Sequence, residues 1–450
     1  MKNLLRYNLG MTNQSIKKWL LISHGFNMDG MASSLTVTDK IPYMLAAGVE
    51  PVVLSAITGY QDEKLEHYQL LPWGPSGLRF DFRHWVAKTH RRGWAYKVFT
   101  PLVSLLLLPF TAIEKLFIGL SSQSSWSYSA AYQGKKIIRK QSIECIYSSG
   151  GAWSAHYAAW LIKKATGKKW IAEIHDPMVI RDDEADDGTA PRKSRDKRFL
   201  QKLEHLICKD ADHVWWFTQG ALDYAKLRNP ELGNKGFVVF PGAEPPGCHE
   251  PLPEKHHYGD QLVMGHFGSI ASDRSLASIL QAMKVFFQAH PEAEQKIRIQ
   301  VYGSSLDSSS QEAMDQLGLA HVVQAMGRIE NDPITGKTGR ERIMEIMRKM
   351  DVLLLLHGDY EWCAEYIPSK SYDYYWTTRP VWGVTNRNQE LDQILEKRQA
   401  YLSHTLDQSS ILATLEMIWS DWQKQELREA KFDPISPEDA VSTILTRIQN

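Results

Sequence analysis

Cysteine is scarce in this chain. The four among its 450 residues, Cys145, Cys208, Cys248 and Cys363, lie far apart and form no CxxC pair. That excludes a dense disulfide framework and a cysteine-built structural zinc, and it points to reducing surroundings. An excess of charge of one sign is missing too: Lys+Arg and Asp+Glu stand at 52 each, so no general basic field favours nucleic acid. No internal repeat or low-complexity segment interrupts the sequence. The apolar run from Pro101 to Ile113 falls short of the ~20 residues of a membrane span and contains two prolines. What is present, 43% hydrophobic and 23% charged residues, describes a globular chain long enough for two domains of about 200 residues each.

The pattern alternates short apolar runs with glycine turns and helical periodicity, which predicts an α/β chain. Trp19 to Ile22 follows Lys17-Lys18, is too short for a signal sequence and meets a turn at Ser23-His-Gly25, so it reads as a first strand. The polar loop holding Asn27 and Gly30 leads into a helical pattern that stops at Gly48, and Val52 to Leu54 is the next strand, completing a βαβ unit. Ile143 to Tyr147 and Lys169 to Ile174 are further strands. The second delivers His175-Asp176-Pro177 at its carboxyl end, where open α/β sheets bind ligands; a turn cap by Asp176 is the other reading. The acidic run Asp182 to Asp187 has no framework to hold a metal and reads as a solvated loop.

Residues 79–120 stand apart. Arg79, Arg83, Lys88, Arg91, Arg92 and Lys97 are interleaved with aromatic residues and followed by the apolar run. Two readings stay open: a segment lying in the interface of an anionic membrane, or a buried helix pair with a basic rim.

In the second half, Leu262 to Phe267 runs into a turn at Gly268-Ser269, and Ser272-Asp-Arg-Ser is expected to open a helix with Arg274 at its start. Ile297 to Val301 runs into Gly303, Gly327-Arg328 follows another strand-like piece, and Pro380 to Val384 reads as the last strand. Between them lies Glu365-Tyr-Ile-Pro-Ser-Lys-Ser-Tyr-Asp373, after the apolar strand Val352 to Leu356. An acid in a loop followed by Pro-Ser-Lys at a helix start, with Pro368 in the first turn, is the layout of an anion site: free amides near Ser369 and Lys370, the helix dipole and the Lys370 ammonium. Glu365 and Asp373, eight residues apart, read as lying on one side at the helical repeat, reaching hydroxyls at both ends of a nucleotide-sugar; alternatively they are a loop charge and a solvated helix residue.

With Tyr374 to Val381 following it, this segment resembles the E-x7-E region of retaining GT-B glycosyltransferases of the family 4 (group 1) type. Glu204, Ala211-Asp212 and Thr218 fall in the matching order in the first half. The departures are Asp373 for the second acid, Trp376-Thr-Thr where small residues are usual, and Ser269 where the family carries Arg. The resemblance implies two Rossmann-like domains facing across a cleft. Residues 1–242 would form the acceptor-side domain, 243–261 the linker and 262–430 the nucleotide-sugar domain, with 431–450 a helix crossing back. It implies catalytic positions at Glu365 and His175, donor diphosphate binding by Gly268, Arg274, Ser369 and Lys370, ribose and base contacts by Asp373, Gly303 and Arg328, and an acceptor-side loop at Asn27 and Gly30. No metal and no cofactor are expected. The expected partners are a nucleotide-sugar donor, a glycan or lipid-linked acceptor and the inner leaflet of a cytoplasmic membrane. A sugar-nucleotide epimerase of the same fold and a catalytically silent scaffold are the alternatives.

Overall fold

Runs of β-branched and aliphatic residues too short for helices become strands, and here every strand pairing is parallel, so both faces of each sheet need covering. The computed structural model describes residues 17–449 apart from 29, 91–92, 119–122, 180–192, 252–256, 272–273 and 304. Arg91, Arg92 and the acidic run Asp182 to Asp187 therefore lie outside the described residues. The first sheet holds β1 (Lys17–Ile22), β2 (Val49–Ala56), β3 (Glu66–Leu70), β4 (Ile143–Gly150), β5 (Lys169–Ile174), β6 (His213–Trp216) and β7 (Gly236–Val238), in the order β3-β2-β1-β4-β5-β6-β7. The second holds β8 (Leu262–Phe267), β9 (Ile297–Tyr302), β10 (Val323–Gly327), β11 (Val352–Leu356), β12 (Val381–Thr385) and β13 (Tyr401–His404), in the order β10-β9-β8-β11-β12-β13. Central strands are dry on both faces: Val352 to Leu356 are all buried.

Both sheets reverse direction of winding beside their first strand, between β1 and β4 and between β8 and β11. These switch points leave crevices at the carboxyl ends, where doubly wound sheets take ligands. The terminal helix Pro437–Gln449 places Ala440, Val441 and Ile444 in the first domain's core beside Trp19, Leu21 and Val53, and Lys169 Nζ donates to Ile448 O (3.0 Å). Strand β3 has no counterpart in the sequence reading, and β13 extends the second sheet beyond the expected last strand.

Residues 79–120 do not form the buried helix pair that one of the two readings expected. Pro75–His90 and Trp94–Phe117 form a helical hairpin. The second helix, at 24 residues, is long and apolar enough to cross a membrane, because the helical pattern runs well past the apolar stretch and both prolines are accommodated inside it. It is not a buried pair. Tyr96, Thr100, Val103, Ser104, Leu107, Thr111 and Glu114 form the less exposed stripe, while Leu105, Leu106 and Phe117 are 67, 64 and 80% exposed. The first helix is tied to the sheet by Asp81, buried 3.5 Å from His24 just past β1, and by Lys88 Nζ, which donates to Ile57 O (2.8 Å) and to Gly59 O past β2. Arg79 Nε donates to Ser104 Oγ (3.1 Å), joining the two helices.

Gly303 has a φ of 141°, and a Cβ there would sit 2.5 Å from Gly268 O. Gly303→Ala is expected to destabilise the protein by about 1–3 kcal/mol, seen as a lower urea midpoint; an unchanged midpoint would mean that the two strand ends separate at no cost.

Candidate active site

The carboxyl edge of the second sheet is stitched by backbone bonds at three strand-end glycines: Gly268 N donates to Tyr302 O (2.8 Å) and Gly303 N to Gly327 O (2.9 Å). Phe267 and Tyr302 stack beneath, with ring centroids 4.8 Å apart. Lys370 reaches this edge, its Nζ 3.4 Å from where a Cβ on Gly268 would stand. Lys370 Nζ donates to His266 Nε2 (2.9 Å), and His266 Nδ1 faces Leu354 O at 3.2 Å. A carbonyl at Nδ1 and an ammonium at Nε2 fix the tautomer, with the proton on Nδ1. Burial, then Lys370, hold the His266 imidazole well below its usual range. Burial, then the Arg274 guanidinium, pull the Lys370 ammonium down to about 7. No carboxylate among the described residues pairs with Lys370. A cation so placed gains from an arriving anion.

The structure thus brings Gly268, Gly303, Arg274 and Lys370 to one switch point, with three changes of detail. Arg274 does not start a helix: its N–H bonds Ala271 O (2.8 Å) and the helix begins at Ala277. The helix after Ser369 is only Lys370–Tyr374, with Ser369 as its cap, so Pro368 precedes the cap rather than filling the first turn. Glu365 ends the short 3-10 turn Glu361–Glu365 and Tyr366 is extended, so Glu365 and Asp373 share no helical face.

Glu365 is buried and locked to the first domain. Its carbonyl accepts from Thr218 Oγ1 (2.7 Å), and a Cβ on Gly220 would meet Ala364 O at 2.1 Å. Phe217, next to Thr218, carries the His175 ring at a centroid distance of 4.8 Å. The chain segment Phe217-Thr218 therefore links His175 on one side to Glu365 on the other.

His175 is held by a cluster that sequence reasoning missed. Its Nε2 lies 2.9 Å from Glu173 Oε1 and 3.0 Å from Ser149 Oγ. The fully buried Glu173 also accepts from Lys40 Nζ (2.7 Å), Ser149 Oγ (2.7 Å), Trp215 Nε1 (3.0 Å) and Tyr147 OH. Burial pushes the Glu173 carboxyl up, but Lys40 and His175 outweigh it and hold it well below the usual range. Lys40 and Glu173 are 133 residues apart, and neither stands in a motif that announces the pair.

Asp373 is already engaged: burial pushes its carboxyl up, against Arg340, whose guanidinium lies 3.5 Å away. Arg340 also forks onto Asp39 of the first domain at 2.9 and 2.7 Å. Arg328 and Gly30, assigned to different ends of the ligand, meet: a Cβ on Gly30 would lie 2.9 Å from the Arg328 guanidinium. Asn27, at φ 57°, donates through Nδ2 to Tyr60 O (3.2 Å). Among the described residues one group, Glu244, Cys248 and His249, has metal-ligand atoms within 4.8 Å of one another. Glu244 already accepts from Tyr43 and His249, and burial pushes the Cys248 thiol up to about 11.

No family model matches the chain, and no curated protein matches it. Solved structures do. HepE (Alr3699) of Anabaena, in complex with UDP and glucose, is 12% identical with a TM-score of 0.57 over 96% of this chain and 99% of that one. TarM, from S. aureus, is 8% identical with a TM-score of 0.62 over 97 and 99%. The lipopolysaccharide outer core galactosyltransferase WaaB, in its apo form, is 10% identical with a TM-score of 0.52 over 96 and 99%. At such identities the likeness is one of fold, and the fold is GT-B.

Lys40→Met leaves the Glu173 carboxylate buried without its cation. Loss of about 3–5 kcal/mol is expected in urea unfolding, and a loss below 1 kcal/mol would show that water reaches Glu173.

Proposed function

We propose that the protein is a retaining, metal-independent glycosyltransferase that moves a hexosyl group from a nucleotide-diphosphate sugar to a lipid-linked or cell-surface glycan precursor. The observation that carries this reading is the meeting of Lys370, Arg274 and the strand-end glycines at the switch point of the second sheet. HepE, on a similar fold, is seen in complex with UDP and glucose and with UDP-glucose, the donor class proposed, and WaaB is a galactosyltransferase.

In this mechanism charge builds on the departing diphosphate, and Lys370, Arg274 and the amides near Ser369 stabilise it where it develops. Glu365 orients the donor sugar from the second domain and His175 from the first. Asp373 and Gly303 face the ribose, and Arg328, which meets Gly30, reaches the donor from beside the Asn27–Gly30 loop that borders the acceptor. The cations present supply the positive charge that a metal would otherwise bring.

In this reading the enzyme docks through the hairpin on the cytoplasmic face of a membrane, which its exposed apolar helix and basic residues support. The hairpin lies in the interface rather than spanning, because a spanning pair would carry exposed Arg79 and Arg83 of the packed partner helix into hydrocarbon. The pairing of Asp373 with Arg340 is the observation that favours the silent-scaffold alternative, and catalysis separates the two: slow hydrolysis of the donor by wild type, lost in Glu365→Ala, supports the enzyme, while no turnover with any donor supports the scaffold.

Among UDP-, GDP-, ADP- and dTDP-sugars, one is expected to raise the melting temperature of wild type but not of an Arg274→Ala, Lys370→Ala double variant; equal shifts in both would remove the diphosphate assignment. The same ligand reports on Lys370 by pH. Below pH 7 the free ammonium is already charged; above it, binding must take up a proton. Affinity is expected to fall by up to about tenfold per pH unit above 7, and Lys370→Met should bind weakly with a flat profile.

A further inference from the structure

Beside the hairpin lies a cavity of about 450 Å³, within the 300–1,000 Å³ or so of small-molecule sites. Phe110, Ile113 and Phe117 of the long helix form one wall, and Tyr128, Trp153 and Tyr157 of the first domain form another. Its polar groups are few. Glu114 is committed through Oε2 to Ser76 N (2.7 Å), and Ser125 Oγ is buried with no hydrogen-bond partner. Such a lining suits a hydrocarbon and offers little to a sugar or a nucleotide.

The surroundings say where the hydrocarbon comes from. Phe110, Ile113 and Phe117 belong both to the cavity wall and to the exposed apolar surface of the long helix, where they are 59, 55 and 80% exposed. Arg79, Arg83, Lys97 and Lys115 stand exposed on the same hairpin, whereas its acids Asp81 and Glu114 are turned inward onto His24 and Ser76. The hairpin therefore presents apolar area and positive charge together, complementary to an anionic lipid surface. The far wall leads to the sheet edge: Trp153 begins its helix two residues past Gly151, and a Cβ on Gly151 would lie 3.5 Å from Asp176, next to His175.

We infer that this cavity binds the hydrocarbon tail of a phosphate-headed lipid taken from the membrane on which the hairpin docks, and that it directs the lipid's head towards the carboxyl edge of the first sheet. The inference rests on the membrane-docking part of the proposed function and makes the lipid the acceptor; it does not need sugar transfer to be observed.

The test uses the full chain and octyl, decyl and dodecyl phosphate below their micelle concentrations, read by tryptophan fluorescence, with sedimentation on anionic phospholipid vesicles as a second readout. Saturable binding is expected, tightening by about fourfold per added methylene until the cavity is full, and inorganic phosphate should not compete. Two independent cavity-filling variants, Ile113→Trp and Tyr128→Trp, should weaken alkyl phosphate binding at least tenfold while sedimenting like wild type. A Leu105→Glu, Leu106→Glu variant of the outer face should do the reverse. Wild type that binds no alkyl phosphate, or binding lost in the outer-face variant and kept in both filled variants, overturns the cavity assignment. Wild type that binds alkyl phosphate without sedimenting on vesicles overturns the membrane origin of the lipid. Donor binding enters neither assay, so failure of the glycosyltransferase reading is seen separately.

Discussion

A carboxylate shut away from water has to be compensated by the groups around it, and in the first domain that demand falls on Glu173. Its compensation draws Lys40, Tyr147, Ser149, His175 and Trp215 to one point, so β4, β5 and β6 and the turn before the helix Ile41–Ala46 are held in a single arrangement. Replacing such a group by well-packed apolar residues often costs nothing, so its presence is weak evidence for stability. What it does supply is orientation: His175 has its Nε2 committed inward, and the described residues give Nδ1 no hydrogen-bond partner. The second domain treats charge the other way. Lys370 is half-buried against a neutral histidine and beside Arg274, and no carboxylate among the described residues pairs with its ammonium. One side of the cleft compensates a buried carboxylate and holds a ring in place; the other sets an ammonium beside a guanidinium.

The hairpin answers a different physical question. A helix of 24 residues packed along one stripe leaves most of its apolar surface in water, far beyond the scattered exposed hydrophobics of an ordinary monomer. Its fixing points explain why this surface bears on the site. Asp81 meets His24 beyond β1, and Lys88 bonds the carbonyls of Ile57 and Gly59 beyond β2. Both lie on the carboxyl edge that also ends in Gly150 and His175. A surface anchored there cannot face one way while the cleft mouth opens on the opposite end of the sheet.

What the sequence discloses and what it hides follow from how far apart the interacting residues are. Strand periodicity and glycine turns are local, so most strands, and the gathering of Gly268, Gly303, Arg274 and Lys370 at one edge, could be read from the chain. Strand β3, Glu-His-Tyr-Gln-Leu, mixes polar and apolar residues at the sheet's margin and gives little signal. His266 is hidden inside a strand, where a buried histidine looks like any core residue until Lys370, 104 positions on, is seen to touch it. The Lys40–Glu173 and Asp39–Arg340 pairs join residues 133 and 301 positions apart, and nothing in either neighbourhood marks them. The helical spacing inferred between Glu365 and Asp373 failed for a local reason: an extended Tyr366 and the Pro368 that follows stop the 3-10 turn before a longer helix can form.

The Asp39–Arg340–Asp373 chain decides how the two halves can stay together while a ligand is present. Arg340 is largely buried, so leaving it without an acid would be costly. Its two bonds to Asp39, at 2.9 and 2.7 Å, are the strong ones, and its approach to Asp373, at 3.5 Å, is looser. Under the proposed function, ribose hydroxyls compete only for the looser contact. Arg340 then keeps its fork on Asp39, the cation remains compensated, and the bridge between the domains survives donor binding. The partial engagement of Asp373 is therefore compatible with a ribose site: it neutralises the acid while the site is empty and gives it up without unpairing the interface.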